Sequence, residues 1–144
     1  MKKRIFTLLF ITILAVSFCA CSNSETEKVE ATPTPPPDLT GEWKQTNSNS
    51  DESWQSATIT SDTIEVYWVT DNGDTKSLYW AGTFIAPTES ENPYSWDSEN
   101  DHEKTDLALL ASGDDTKSFT YDDGELSYSV TAMGTTMTVR LAKQ

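Results

Sequence analysis

From Leu39 onward the chain alternates. Leu39, Gly41, Trp43 and Gln45 take turns with Thr40, Glu42 and Lys44, the period-two repeat of a strand with one buried face. Seven further runs keep that period. Ala57 and Ile59 begin a second strand, and Ile64, Val66 and Trp68 alternate with Glu65, Tyr67 and Val69 in a third. Leu78, Trp80, Gly82, Phe84 and Ala86 share one face of a long fourth. Tyr94 and Trp96 mark a fifth, and Phe119 and Tyr121 a sixth. Leu126, Tyr128, Val130 and Ala132 form a seventh, and Met137, Val139 and Leu141 an eighth. Between the runs sit Asp71-Asn72-Gly73-Asp74, Asp122-Asp123-Gly124 and Met133-Gly134, residues that tolerate the positive φ of tight hairpins.

One stretch breaks the period. Thr105-Asp106-Leu107-Ala108-Leu109-Leu110-Ala111-Ser112-Gly113 offers an N-cap, an apolar run and a glycine stop. It predicts a short helix or helical turn plugging one end of the sheet, with a strand as competitor. The expected fold class is therefore all-β and antiparallel, with about eight strands in an up-and-down barrel and one short helix. Closure removes exposed edges. A two-sheet β-sandwich is the alternative.

Ahead of the strands the chain has a different character. Met1-Lys2-Lys3-Arg4 is a basic start, and Ile5 to Phe18 carries no charge. The order then runs Phe18-Cys19-Ala20-Cys21-Ser22 before the composition turns polar and acidic. A basic start, a short apolar run and a small residue before the cut are the parts of a secretory signal peptide. The small residue followed by cysteine resembles the lipobox of bacterial lipoproteins. That resemblance implies a signal peptide over 1–20, removed on export, and lipid on Cys21 at the mature N-terminus. The competing readings are a conventional cut nearby and an uncleaved anchor. The latter would have 17 residues from Ile5 to Cys21, at the lower limit for a spanning helix. Two or more acyl chains anchor a protein stably where one does not, and a diacylglyceryl group satisfies that need.

Residues 21–38 then carry the lipidated cysteine and a tether containing Thr32-Pro33-Thr34-Pro35-Pro36-Pro37. Polyproline geometry at about 3.1 Å per residue would hold a domain up to roughly 50 Å from the membrane. Residues 39–144 form one domain of ordinary size. With Cys19 gone and Cys21 acylated, that domain has no cysteine, so its stability rests on core burial and it offers no thiol nucleophile. The expected location is extracytoplasmic, lipid-anchored at the outer face of a Gram-positive cell membrane. In a double-membraned cell the outer membrane fits, since Ser22 is not the aspartate that marks inner-membrane retention.

Charge narrows the partners. All 23 acidic residues follow Cys21, against seven of the ten basic ones, so the mature chain carries −16. Nucleic acid and anionic lipid surfaces need a positive patch and are excluded as partners. Acidity keeps a tethered protein soluble and off the membrane, and it can attract a basic protein or cations.

Leu39-Thr40-Gly41-Glu42-Trp43 resembles the Gly-x-Trp first strand of the calycin barrels, the lipocalins and avidins. Lipocalins also set a basic residue of the last strand over that tryptophan, a place Arg140 in Thr138-Val139-Arg140-Leu141 would match. The middle of the chain matches no ligand-binding residue of either family. The resemblance implies a fold and leaves the ligand open.

Five tryptophans are many for this domain. Alternation puts Trp43, Trp68 and Trp80 on the inward face, where such rings fill a core. They also line a small cavity if the barrel holds one, because eight strands can just enclose a ligand. Trp43, Trp68, Trp80 and Arg140 are thus the candidate ligand-lining residues. Trp54, at the end of the polar loop Thr46–Ser53, suits an exposed site. Asp97-Ser98-Glu99-Asn100-Asp101-His102-Glu103 spaces carboxylates like the start of a calcium loop. It fails the EF-hand pattern at His102 and Ala108, which predicts a solvated, flexible loop. His102 is the single histidine, and no phosphate loop, HExxH or nucleophile elbow is present. The reading is a non-catalytic protein without cofactor or metal that binds a small molecule, a glycan or an envelope component. The alternative is an acidic protein-interaction or enzyme-inhibitor module.

Overall fold

The computed structural model describes residues 34–132 and 134–144. The signal segment, Cys21 and the tether through residue 33 lie outside the described residues, as does Met133 of the last hairpin turn.

Eight strands follow one another: β1 (Gly41–Gln45), β2 (Trp54–Ile59), β3 (Thr63–Thr70), β4 (Thr75–Thr83), β5 (Tyr94–Asn100), β6 (Thr116–Asp122), β7 (Glu125–Ala132) and β8 (Thr135–Lys143). Each pairs antiparallel with the next. β8 returns to β1, with Trp43 opposite Lys143 and Gln45 opposite Leu141, so the sheet closes into a barrel. This is the up-and-down barrel that the alternation predicts, calycin-like in form as the first-strand resemblance implies, and closure excludes the sandwich. The core runs from Leu39 to Leu141 within one compact unit, Thr32–Gln144. A unit with a complete core of its own folds by itself.

Trp43, Trp80 and Phe119 are the largest side chains sealed inside. Aromatic rings run across the interior from Phe84 to Trp96, Phe119 and Tyr128, with successive centroids 5.2, 5.6 and 5.1 Å apart. The hairpin between β6 and β7 has a two-residue loop. Asp123 and Gly124 both take positive φ, 48° and 92°, between the paired Asp122 and Glu125, as the strand twist demands.

The alternation fails at identifiable places. On β4, Val66 faces Trp80 but Tyr67 faces Leu78, which leaves Tyr79 as the extra residue of a β-bulge. Tyr79 and Trp80 are consequently both buried. β4 stops at Thr83, so Ala86 is exposed and does not extend its inward face. Ala132 and Met137, expected inside, are exposed near the far end of the β7–β8 hairpin.

The helix is displaced from its expected place. α1 spans His102–Thr105 and ends where an N-cap was expected. Residues 106–113 form neither helix nor strand but successive turns, in which Ala108 N–H donates to Thr105 O and Ala111 N–H to Ala108 O. The cause is closure of the segment. Glu99 pairs with Thr116 and Asn100 N–H donates to Asp115 O at 3.0 Å, so the chain must leave and return at one rung. The excursion lies along β4, with Asp101 N–H on Ala81 O and Ser112 N–H on Tyr79 O. The direct β4–β5 ladder is only two rungs long, Gly82 with Asn100 and Thr83 with Glu99. The acidic stretch is likewise no free loop. Its first four residues, 97–100, end β5, with Ser98 buried.

Candidate functional site: a cavity beside the parted strands β6 and β7

The β6–β7 ladder runs from the Asp122–Glu125 rung to the Phe119–Tyr128 rung and stops there. Thr116–Ser118 of β6 and Ser129–Ala132 of β7 continue beyond it without facing each other in register. Beside this parting lies a cavity of about 1000 Å³. Its inner part is aromatic, made by Trp68, Tyr79 and Tyr128, and its outer part carries hydroxyls, among them Ser118, Thr120, Ser127 and Ser129. Leu110 to Asp114 form one side. That side is fastened by Ser112 N–H on Tyr79 O at 2.8 Å and by the Trp68 indole N–H donating to Leu110 O at 3.4 Å.

Local sequence explains each wall. The bulge turns Tyr79 inward next to Trp80, where its ring meets Trp68 edge-on at 5.4 Å and stacks on Tyr128 at 6.3 Å. Phe119 and Lys117 share the inward parity of β6, which places a lysine in the wall. Lys117 is only 8% exposed. Its Nζ lies 5.1 Å from the Tyr79 ring centroid and 5.3 Å from that of Trp80, and 3.4 Å from Asp114 Oδ2. That carboxylate also accepts from Ser112 Oγ at 2.6 Å. The serine hydrogen bond, with help from Lys117, holds the Asp114 carboxyl below its usual range.

Behind Tyr128 sits a buried polar pair. The Tyr128 hydroxyl donates to Gln55 Oε1, and burial pushes the phenol well above its ordinary pKa. Gln55 is 1% exposed and pairs across the ladder with Trp68. Its Nε2 has no hydrogen-bond partner among the described residues. An unmade bond on a buried amide costs free energy, and such groups call for an explanation.

The residues singled out from sequence are dispersed. Trp68 is half-buried and lines the cavity. Trp43 and Trp80 are sealed in the core and do not line it. The Trp43 indole donates to Leu39 O at 3.0 Å, and the Trp80 indole to Ser98 Oγ at 3.0 Å. Arg140 is exposed and ion-paired with Glu125; it lies on neither the cavity nor Trp43. The last-strand cation opposite Trp43 is Lys143, which donates to Asp38 O at 2.9 Å and ties the start of the domain to β8. Trp54 is half-buried, with Lys44 Nζ 4.0 Å above its ring, beside a separate hollow of about 310 Å³.

Tyr79, Lys117, Tyr128 and Gln55 went unmarked as site residues. Three were legible by parity: Lys117 two places before Phe119, Gln55 two before Ala57, and Tyr128 already on the inward face. Tyr79 was not, because only pairing reveals a bulge. His102 lies on the surface, 3.2 Å from Asp106 and 3.5 Å from Asp115. Among the described residues no three His, Cys, Asp or Glu side chains are grouped to hold a metal ion. No helix among them is long and apolar enough to cross a membrane. Comparison with protein-family models, curated proteins and solved structures gave no match.

Proposed function

We propose that this chain is a lipid-anchored extracytoplasmic lipoprotein, non-catalytic, whose barrel binds a small ligand. The cavity of about 1000 Å³ carries the reading. It has the size of small-molecule sites, with aromatic faces from Trp68, Tyr79 and Tyr128 and a larger share of hydroxyl-bearing wall. The ligand is a small molecule, a single glycan unit or an envelope component that enters beside the parted strands. The Cys21 anchor and the Pro-rich tether keep that cavity near the membrane surface, and the acidic domain off it.

Two measurements test it. N-Phenyl-1-naphthylamine, a neutral fluorescent probe, should bind the chain from Ser22 onward with micromolar affinity. Ser129→Trp, which adds an indole at the exposed rim of the cavity, should weaken that binding at least tenfold. Equal binding by the variant would remove the cavity from consideration. In the cell, Cys21→Ala should abolish labelling by palmitate and release the protein from the membrane fraction; a variant still labelled would refute the anchor.

One observation favours a second reading, the protein-interaction module. Leu107 and Leu109 are 88% and 97% exposed on the segment beside the cavity, and exposed apolar groups in a cluster mark contact surfaces. A salt-sensitive complex with a basic protein such as lysozyme, weakened by Leu109→Glu, would support it. No complex at low salt would end it.

A further inference from the structure

Six basic residues lie among the described ones: Lys44, Lys76, Lys104, Lys117, Arg140 and Lys143. Five are exposed, and Lys117 alone is buried. In a mature chain of net charge −16, surface lysines would be the expected use of scarce positive charge. Burying an ammonium is costly unless it is paired and hydrogen-bonded. Lys117 has three donors, and its one carboxylate contact, Asp114 Oδ2, is long at 3.4 Å and belongs to a side chain 66% exposed. The rings of Tyr79 and Trp80 stabilise the cation further, yet they accept no conventional hydrogen bond.

The position is also specific. Lys117 lies in the wall of the cavity, next to Tyr79 and near Tyr128. A second buried group, the Gln55 amide behind Tyr128, has an Nε2 with no hydrogen-bond partner among the described residues. The cation and the aromatic faces of Tyr79 and Tyr128 line the same space, and the Gln55 amide lies behind Tyr128, outside that lining. A buried cation with unfilled donors beside aromatic rings, in a wall whose other polar groups are neutral hydroxyls and the single carboxylate of Asp114, suits a ligand that brings negative charge and a flat or apolar body.

We infer that the cavity takes a small organic anion, a carboxylate, sulfonate or phosphate on a ring-shaped or apolar body, with the anionic group on Lys117 Nζ and the body against Trp68, Tyr79 and Tyr128. This rests on the cavity reading above and names its ligand class. The overall acidity of the domain opposes long-range approach of an anion, but at 0.15 M salt the Debye length of about 8 Å confines that opposition to nearby charges. Inside the cavity the local cation governs.

The test uses two probes with one aromatic body: 8-anilinonaphthalene-1-sulfonate, and N-phenyl-1-naphthylamine, which lacks the sulfonate. Both are titrated at 0.15 M salt against the chain from Ser22 onward, with the near-UV spectrum confirming a packed core. The sulfonate should bind the tighter of the two. Lys117→Met should weaken it by roughly ten- to hundredfold, the scale of a charge-assisted hydrogen bond, and leave the neutral probe within about threefold. Lys117→Arg should retain the sulfonate. If Lys117→Met disturbs the near-UV spectrum, Lys117→Gln, which keeps a polar head in that wall, decides by the same ratio of affinities. Neutral binding with a sulfonate affinity indifferent to Lys117 overturns the anion and leaves the cavity standing. Failure of the native chain to bind either probe overturns both.

Discussion

Gly82 is where the barrel is most exposed to a single methyl group. A Cβ there would lie 2.4 Å from Glu99 O, 2.4 Å from Ser98 Oγ and 2.9 Å from Trp80 Nε1. Carbon contacts below 3 Å force movement, and here one obstacle is backbone. Gly82 occupies one of the two rungs joining β4 to β5, so the strands must separate where they are held least. Overpacking of this kind costs about 1–3 kcal/mol. Displacing Ser98 also breaks its bond to the Trp80 indole, and a buried N–H left unpaired adds about 1–3 kcal/mol. The two costs share one displacement, so Gly82→Ala should destabilise the domain by about 3 kcal/mol. Urea unfolding followed by tryptophan fluorescence measures it, and thermal unfolding should show a fall in Tm of at least about 10 °C for a domain near 100 residues. The Gly82→Ala/Ser98→Ala double variant should recover part of the loss, because it removes the Oγ contact and leaves the clash with Glu99 O. A Gly82→Ala loss below 1 kcal/mol would refute the reasoning, since β5 would then be free to move away at little cost.

Two further outcomes follow from other contacts. Tyr128→Phe should cost about 1–3 kcal/mol, because Gln55 then loses the partner of its buried carbonyl; adding Gln55→Leu should return most of it, and a neutral Tyr128→Phe would contradict the pairing. The His102 ring is raised above 6.5 chiefly by its hydrogen bond to Asp106, with Asp115 assisting. Its contribution to stability is therefore complete below pH 6.5 and fades as pH rises through the raised folded value. An NMR titration should place the midpoint above 6.5 and find it lower in Asp106→Asn; an unchanged midpoint in that variant would remove Asp106 as the cause.

Much of this protein is written in its sequence. Strand number, inward faces and antiparallel class follow from the period of two, because a half-buried strand has no other way to sort its side chains. The two-residue turn at Asp123-Gly124 follows from local backbone preference. The negative charge of the domain and the basic–apolar–Cys21 order at the N-terminus also need no coordinates to be read. Pairing is different, since a strand's alternation says which residues share a face and nothing about which rung they meet. The Tyr79 bulge, the early end of the β6–β7 ladder and the two-rung β4–β5 contact are all consequences of register around a closed circle. They decide that Trp80 is sealed in the core while Trp68 reaches a cavity. The short helix was misplaced for a related reason: the local signal at Thr105–Gly113 was overruled by the need to return from Glu99 to Thr116 across one rung. Lys143 rather than Arg140 lies opposite Trp43 because the β8–β1 register sets that rung, which leaves Arg140 to meet the chain just past β1, at Thr46. Lys117 shows the division most clearly. Its inward parity could be read from Phe119 and Tyr121, but only the parting of β6 from β7 turns a buried lysine into the wall of a cavity.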